Sequence, residues 1–478
     1  MITTDAPYWI VQAPNWVTPD AITGVGNGSS TVKLTIASNY KNEKTDVSAR
    51  SGEIKFSGGG TSLIITINQL GYVAPKDPNA SIGGITDMDE FKDFIAAVNE
   101  GGAYSRWQNA AGEVELLTDL DLSSFDTWVP IGNPETLNNG NNNCAYVGAA
   151  FTGVFNGGGH TISNFNASEK MGNATTFGFF GVLDKATVKN LTIKGSLTLS
   201  ATGTADAGIL AGTIISSTIE NVKVEGKINS TGSTATNRFS MGGIAGFAFS
   251  IANAGALENT LIKNCDIKCN VNAVGGGNLA NGATAAQYGG VVGFTTNPKD
   301  DSRVTIENCT VSGDLKVELG RCSGIVATAN AGTVVKGCTN NANQTNTIAN
   351  GRIGNIISVL GVNCSIINTI NNGNLTTTGS QTTTGAIAAL LNDNTVEIKG
   401  GRNNGTIIGA NASYLGLIAA NFSKFVSVSD FVVSGKIGLY KEDGNPEMYD
   451  LSEGTYMNYI GSISDAGKAL LSNITFAK

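Results

Sequence analysis

Two acidic pairs have the types and spacing to do chemistry on a sugar polymer. Asp300 and Asp301 precede Arg303 in NPKDDSR, and Asp119 and Asp121 alternate in TDLDL. Polysaccharide lyases can use acidic calcium ligands with an Arg or Lys base beside them, and hydrolases use two carboxylates a few ångströms apart. Asp300, Asp301 and Arg303 are therefore the candidate catalytic set. A structural reading is nevertheless preferred for both pairs. NPKDDSR reads as a turn in which Asp serves local hydrogen bonding, and Asp119 and Asp121 face one side of a strand. His160 is the single histidine, which excludes an HExxH zinc site and any mechanism needing a second His. It reads as a corner hydrogen-bonding residue. GxxxxGK and GxSxG motifs are absent, and no metal or cofactor is implied.

Residues suited to holding a ligand lie on insertions. Asn278, Asn281 and Gln287 belong to NAVGGGNLANGATAAQ (272–287), Asn297, Asp300 and Asp301 to the 297–303 turn, and Tyr440, Tyr449 and Tyr456 to the 439–459 excursion. Amide, carboxylate and phenol groups suit sugar hydroxyls better than an apolar partner. Closing the C-terminal end of the fold is the ordinary alternative for the tyrosines.

What must position these loops is a repeat. TFGFFG, AGILAG, MGGIAG, YGGVVG, CSGIVA, IGNIIS, TGAIAA, LGLIAA and IGSISD, aligned on their second residues, are separated by steps of 31, 34, 47, 34, 31, 31, 31 and 45. A second motif runs in phase: TVKNLTIKG, TIENVKVEG, LIKNCDIKC, TIENCTVSG and their weaker successors. Two residues before its Asn the position is always aliphatic, from Val188, Ile219, Ile262 and Ile306 to Leu471. Three residues after it stand Ile193, Val224, Ile267 and Val311, then Asn340, Asn371 and Asn403, then Val433 and Phe476. Burial alternates with period two, a strand signal, and slips phase after the Asn, which predicts a corner there. One short strand cannot bury its own face, so each copy must stack on its neighbours. The fold predicted is an all-β, right-handed parallel β-helix. Lys189, Glu220, Lys263, Glu307 and Lys336 alternate in sign, as stacked exposed side chains should. The Asn column itself (Asn190, Asn221, Asn264, Asn308, Asn368) is predicted to point inward as an amide ladder.

The chain has 478 residues, 62 Gly, 14% charged residues and a net charge of −8. No run of Lys or Arg occurs, which argues against nucleic acid as a partner. No apolar stretch approaches a transmembrane segment. Of the seven cysteines, Cys265, Cys309 and Cys338 share the inward position after the Asn, reading as small core residues. Residues 1–72 lack the solenoid period and read as a small β-sandwich, 73–86 as a linker, and 87–478 as the β-helix. A helix at about 87–100, with Phe91, Phe94, Ile95 and Val98 on one face, covers the open end of the core. Nine coils follow, over about 177–478.

VELLTDLDLSSFDTWVPIGN, FTGVFNGGGHTISNF and the GGxxG and IxNCxVxG units resemble the GLUG-motif right-handed β-helices of bacterial surface proteins, within the pectin-lyase-like class. Later copies depart from that pattern, with Ala327, Ser358, Ala389, Ala420 and Asp465 where the unit has Gly. Residues 5–72 resemble a BACON domain through Trp9, Asn39, Arg50 with SGEIKF, and INQLG. These resemblances, typical of exported and often lipid-anchored proteins of Bacteroidetes-type bacteria, imply a cell-surface or outer-membrane location and a non-catalytic adhesin that binds a host or dietary glycan or mucin. A polysaccharide lyase or hydrolase, and a stalk for protein partners, are the rival expectations. No signal peptide opens the chain, so a removed export signal is expected on the surface reading.

Overall fold

The computed structural model of the chain describes residues 2–4, 6–26, 28–39, 47–71, 81–139, 144–231, 238–253, 256–276, 286–297, 302–410, 415–422, 426–441, 444–449, 460–463 and 470–476. Two compact units divide at Ala80 and Ser81. In the first, strands 23–25, 8–12, 50–58 and 61–69 form an antiparallel sheet in that order, accompanied by two small antiparallel pairs. Trp9, Val11, Val17, Ile54 and Phe56 make its core. The Arg50 guanidinium lies 4.5 Å over the Trp16 ring and donates to the Ala37 carbonyl. The Asn39 amide donates to the carbonyls of Ser48 and Leu70. Both side chains thus tie the edge of this unit together.

The second unit is a parallel β-solenoid of about eight turns, built from one long sheet, an eight-stranded sheet and a nine-stranded sheet. The aliphatic column holds one register through every turn: Val188, Ile219, Ile262, Ile306, Val335, Ile366, Ile398, Val428 and Leu471 pair successively. Each fully buried aliphatic chain contributes about 1.5–3 kcal/mol. The charge column runs beside it, with Lys263 Nζ 3.0 Å from Glu220 and Lys336 Nζ 3.1 Å from Glu307. These half-exposed pairs add little energy and favour the register that the core sets.

The Asn column is where the structure departs from the sequence reading. Asn190, Asn221, Asn264, Asn308 and Asn368 adopt φ between 49° and 54°, the left-handed region that Asn tolerates best after Gly. Gly337 and Gly400 take the same place with φ of 62° and 67°. That conformation turns the chain at the corner and swings the side chain outward, so the column is half-exposed or exposed. Only part of it forms a ladder, as in Asn221 Nδ2 to Asn190 Oδ1 at 3.2 Å.

The buried ladder stands three residues later. Asn340, Asn371 and Asn403 replace the aliphatic residues of the second column and are fully buried. Asn340 donates to Asn371 at 2.8 Å, and Asn371 to Asn403 at 2.7 Å. Their Oδ1 atoms accept from the backbone of Ala342, Gly373 and Gly405. The ladder thus serves the corner backbone as well as its own side chains, which a buried amide must do to avoid a penalty.

The repeat Gly has a local cause. A Cβ at Gly208, Gly242, Gly354 or Gly385 would land on the carbonyl oxygen three residues onward, so the corner between the two smaller sheets favours glycine, although Ser323 holds the same place in one turn. The first copy also shifts: Phe177 pairs with Ala207 and Phe180 with Ala211, so its corner is one residue shorter than that of the next turn.

The open end of the core is covered by helix α1, Met88–Asn99. Asp87 caps it, its carboxylate accepting from Glu90 N, and Gly101 follows with φ of 70°. Phe91 stacks on Phe179 at 5.9 Å, and Phe94 meets Phe155 at 6.1 Å. Glu90, buried among these rings, accepts from Trp107 Nε1 at 3.0 Å and pairs with Arg106 at 3.0 Å.

Replacing Asn371 by Ala removes the middle of the buried ladder and leaves neighbouring amides unsatisfied. The expected loss is about 2–4 kcal/mol in chemical denaturation. Asn372→Ala, in the exposed ladder beside it, is expected to change stability by less than about 0.5 kcal/mol. Equal effects would contradict this account.

Candidate functional site

The eight- and nine-stranded sheets meet at the glycine corner, and their outward faces form a groove along the solenoid. Residues two places before the repeat Gly make one wall. Thr176, Asp206, Ser240, Gln287, Arg321, Arg352 and Thr383 pair in succession. The other wall is the column Val182, Thr213, Phe247, Phe294, Thr328, Val359 and Leu390. A polar wall thus faces a largely apolar one.

Over the first turns a hairpin packs into this groove. The hairpin of strands 134–139 and 144–148 packs Leu137 and Cys144 with Val182, Ile215, Phe247 and Phe249. Burial, and secondarily the nearby Asp206, push the Cys144 thiol up, so it is an inert core residue. All seven cysteines are free and buried. Arg238 fills the next stretch. Its Nη2 lies 2.9 and 3.1 Å from the two carboxylate oxygens of Asp206, and its guanidinium lies 4.6 Å over Phe247 and 4.5 Å over Phe294.

Beyond Arg238 the groove opens into a cavity of about 420 Å³ bordered by Gln287, Phe294, Arg321, Thr328, Asn330 and Arg352. A chain of hydrogen bonds fixes its floor. Arg321 Nη1 donates to Thr328 Oγ1 at 2.9 Å. Thr328 donates to Gln287 Oε1 at 2.5 Å, and Gln287 Nε2 to Ser240 Oγ at 2.9 Å. Burial, with the neighbouring Arg352 cation, pushes Arg321 down to about 10; burial also lowers Arg352. Both remain protonated at neutral pH. Asp393 lies on the rim, and its Oδ1 accepts from Thr395 N and Oγ1.

Of the residues singled out in the sequence, Gln287 lies in this wall. Asn297 is buried, its amide donating to the Ser302 carbonyl. Arg303 immediately precedes the strand Val304–Glu307 of the long sheet: its N–H donates to Asn259 Oδ1, and its carbonyl accepts from Ser250 Oγ. Tyr440 and Tyr449 sit on an antiparallel pair, 437–440 with 446–449, and Tyr449 packs against the main core, which fits the end-closing role. Asn278, Asn281, Asp300, Asp301 and Tyr456 lie outside the described residues. The arginines of the groove escaped the sequence reading. Their signal was a polar residue two places before each repeat Gly, visible in Asp206, Ser240, Gln287, Arg321, Arg352 and Thr383.

Asp119 and Asp121 serve corners. Asp119 Oδ1 accepts from Thr161 N at 2.9 Å and meets His160 Nδ1 at 3.0 Å. Asp121 Oδ1 accepts from Asn164 Nδ2 and Ser123 N. These bonds, led by Thr161 N for Asp119 and Asn164 for Asp121, hold both carboxyls below the usual carboxylate range.

The comparisons with known proteins bear on both units. Residues 8–70 match the BACON family model, described as "Putative binding domain, N-terminal". A 146-residue stretch is 32% identical to Halomucin of Haloquadratum walsbyi, covering 30% of this chain and 1% of that protein. A crystal structure described as "a putative immunoglobulin A1 protease from Bacteroides ovatus" aligns at 16% identity and a TM-score of 0.37, over 82% of this chain and 83% of that one.

Two outcomes follow from the site. Asp206→Ala removes the carboxylate paired with the buried Arg238 cation and is expected to cost about 3–5 kcal/mol. Replacing both, Asp206→Leu with Arg238→Met, is expected to cost less, as chemical denaturation would show. The lowered Asp119 and Asp121 carboxyls stabilise the fold above their ordinary range and lose that contribution as pH falls through their folded values. Tm should therefore fall on acidification below about pH 4, less steeply in the Asp119→Asn, Asp121→Asn double variant.

Proposed function

We propose that this chain is an exported cell-surface protein that binds a glycan or mucin without cleaving it. The observation that carries the reading is the open groove. Guanidinium, amide and hydroxyl groups on a rigid wall face Phe294 and aliphatic side chains, the mixture of polar donors and apolar surface that a sugar ring presents in reverse. The BACON match over 8–70 supports a binding role, and the similarity to a protein named Halomucin supports a mucin-linked surface setting. Membership of the GLUG-motif, pectin-lyase-like β-helices belongs to the same proposal and rests on the DLDL, WVPIG and FNGGGHTI blocks. Lipid anchoring belongs to it too. Among the described residues no helix is long and apolar enough to cross a membrane.

The groove also weighs on the enzymatic alternative. Among the described residues lining its open cavity Asp393 is the one carboxylate, whereas glycoside hydrolysis uses two. The purified chain, applied to an array of mucins and host and plant glycans, is expected to bind a subset and to release neither reducing ends nor unsaturated products. Products that disappear in Asp300→Ala or Asp301→Ala would replace this reading with a polysaccharide-cleaving enzyme. Capture of a protein partner with no glycan bound would replace it with a stalk.

A further inference from the structure

We infer that the open stretch of the groove at Arg321 and Arg352 binds an acidic sugar residue, its carboxylate or sulfate group seated against the two guanidinium groups. The inference rests on the glycan-binding reading above and adds the charge of the sugar.

Arg321 and Arg352 pair residue for residue on adjacent strands. Like charges directly opposite at a strand spacing of ~4.8 Å destabilise a sheet. The outer charge column of this solenoid avoids that arrangement by alternating sign, as in Lys263 with Glu220 and Lys336 with Glu307. The groove wall has no such alternation, and at one place, the mouth of the cavity, it sets two like charges side by side.

Arg238 supplies the internal comparison. It stands in the same groove, is buried, and is neutralised by Asp206, so its role is structural. For the Arg352 side chain no hydrogen bond or ion pair is present among the described residues, although it is half-buried. Burial depresses both guanidinium groups of the open stretch, and at Arg352 no ion pair among the described residues offsets the lost hydration. An anion entering the cavity would offset it through charge-assisted hydrogen bonds, and a planar fork suits carboxylate and sulfate alike.

The remaining lining selects a saccharide over a bare ion. The Arg321–Thr328–Gln287–Ser240 chain fixes the orientation of the floor. Asn330 stands beside it, its amide donating to Thr296 Oγ1, and Val362 offers an exposed apolar surface. A volume of about 420 Å³ lies in the range of small-ligand sites.

The test is calorimetric titration of the full chain with three probes: trigalacturonate, a sulfated galactose trisaccharide, and neutral galactotriose. At least one acidic probe is expected to bind about tenfold or more tightly than the neutral one, and which of them does so identifies carboxylate or sulfate as the preferred group. Arg352→Ala is expected to lower that affinity about tenfold or more, with Arg352→Lys intermediate and thermal unfolding of Arg352→Ala unchanged or raised. Equal binding of the neutral probe, or acidic binding unaffected in Arg352→Ala, would overturn the inference and leave glycan binding standing. No binding of any probe would overturn this inference. A full glycan array with no hits would overturn the broader reading.

Discussion

Every turn of the solenoid is held by backbone hydrogen bonds to the turns before and after it, and every other feature depends on those bonds keeping one register. Side chains alternate faces with period two, so a slip of one residue would exchange core and surface along a whole strand. The unbroken column from Val188 to Val428 prevents the slip, because each of its members is aliphatic and buried in the core. Corners must then fall at the same place in each turn. Left-handed Asn or Gly at one corner, and a glycine pressed against a carbonyl at another, meet that requirement.

Once register is fixed, ladders of like side chains follow. They fall into three physical kinds. Exposed charges alternate in sign and screen one another. Buried amides at Asn340, Asn371 and Asn403 bond to each other and to the corner backbone. The groove wall from Asp206 to Arg352 is polar yet lies largely out of solvent, and part of it is satisfied internally, by Arg238 on Asp206 and by Thr328 on Gln287. The part left to meet a ligand is short, and it sits on neighbouring turns whose spacing is fixed by the backbone. A rigid support of this kind lowers the ordering cost of binding.

Much of this was legible in the residues. The aliphatic columns, the charge alternation, the inward cysteines and the capping helix follow from periodicity alone, since each depends on which face a residue occupies. The direction of the Asn column was not legible, because a left-handed residue breaks the alternation that predicts direction, and only the phase slip after it signalled a corner. The inward ladder was written as three Asn residues in an otherwise aliphatic column. The groove was hidden for a different reason. It arises where two sheets meet, and insertions of varying length separate Asp206, Ser240, Gln287 and Arg321 in sequence while the register aligns them in space. Loop composition drew attention to 272–287 and 297–303. Of the residues named there, Gln287 reaches the groove, and it does so from a strand.

Hydrogen exchange measured with and without a bound acidic oligosaccharide tests the central claim, that ligand recognition belongs to the outer groove of the solenoid. The account predicts slowed exchange in the strands and corners carrying Arg321 to Asn330 and Arg352 to Val362, with residues 8–70 unchanged. Slowing confined to residues 8–70 would contradict it.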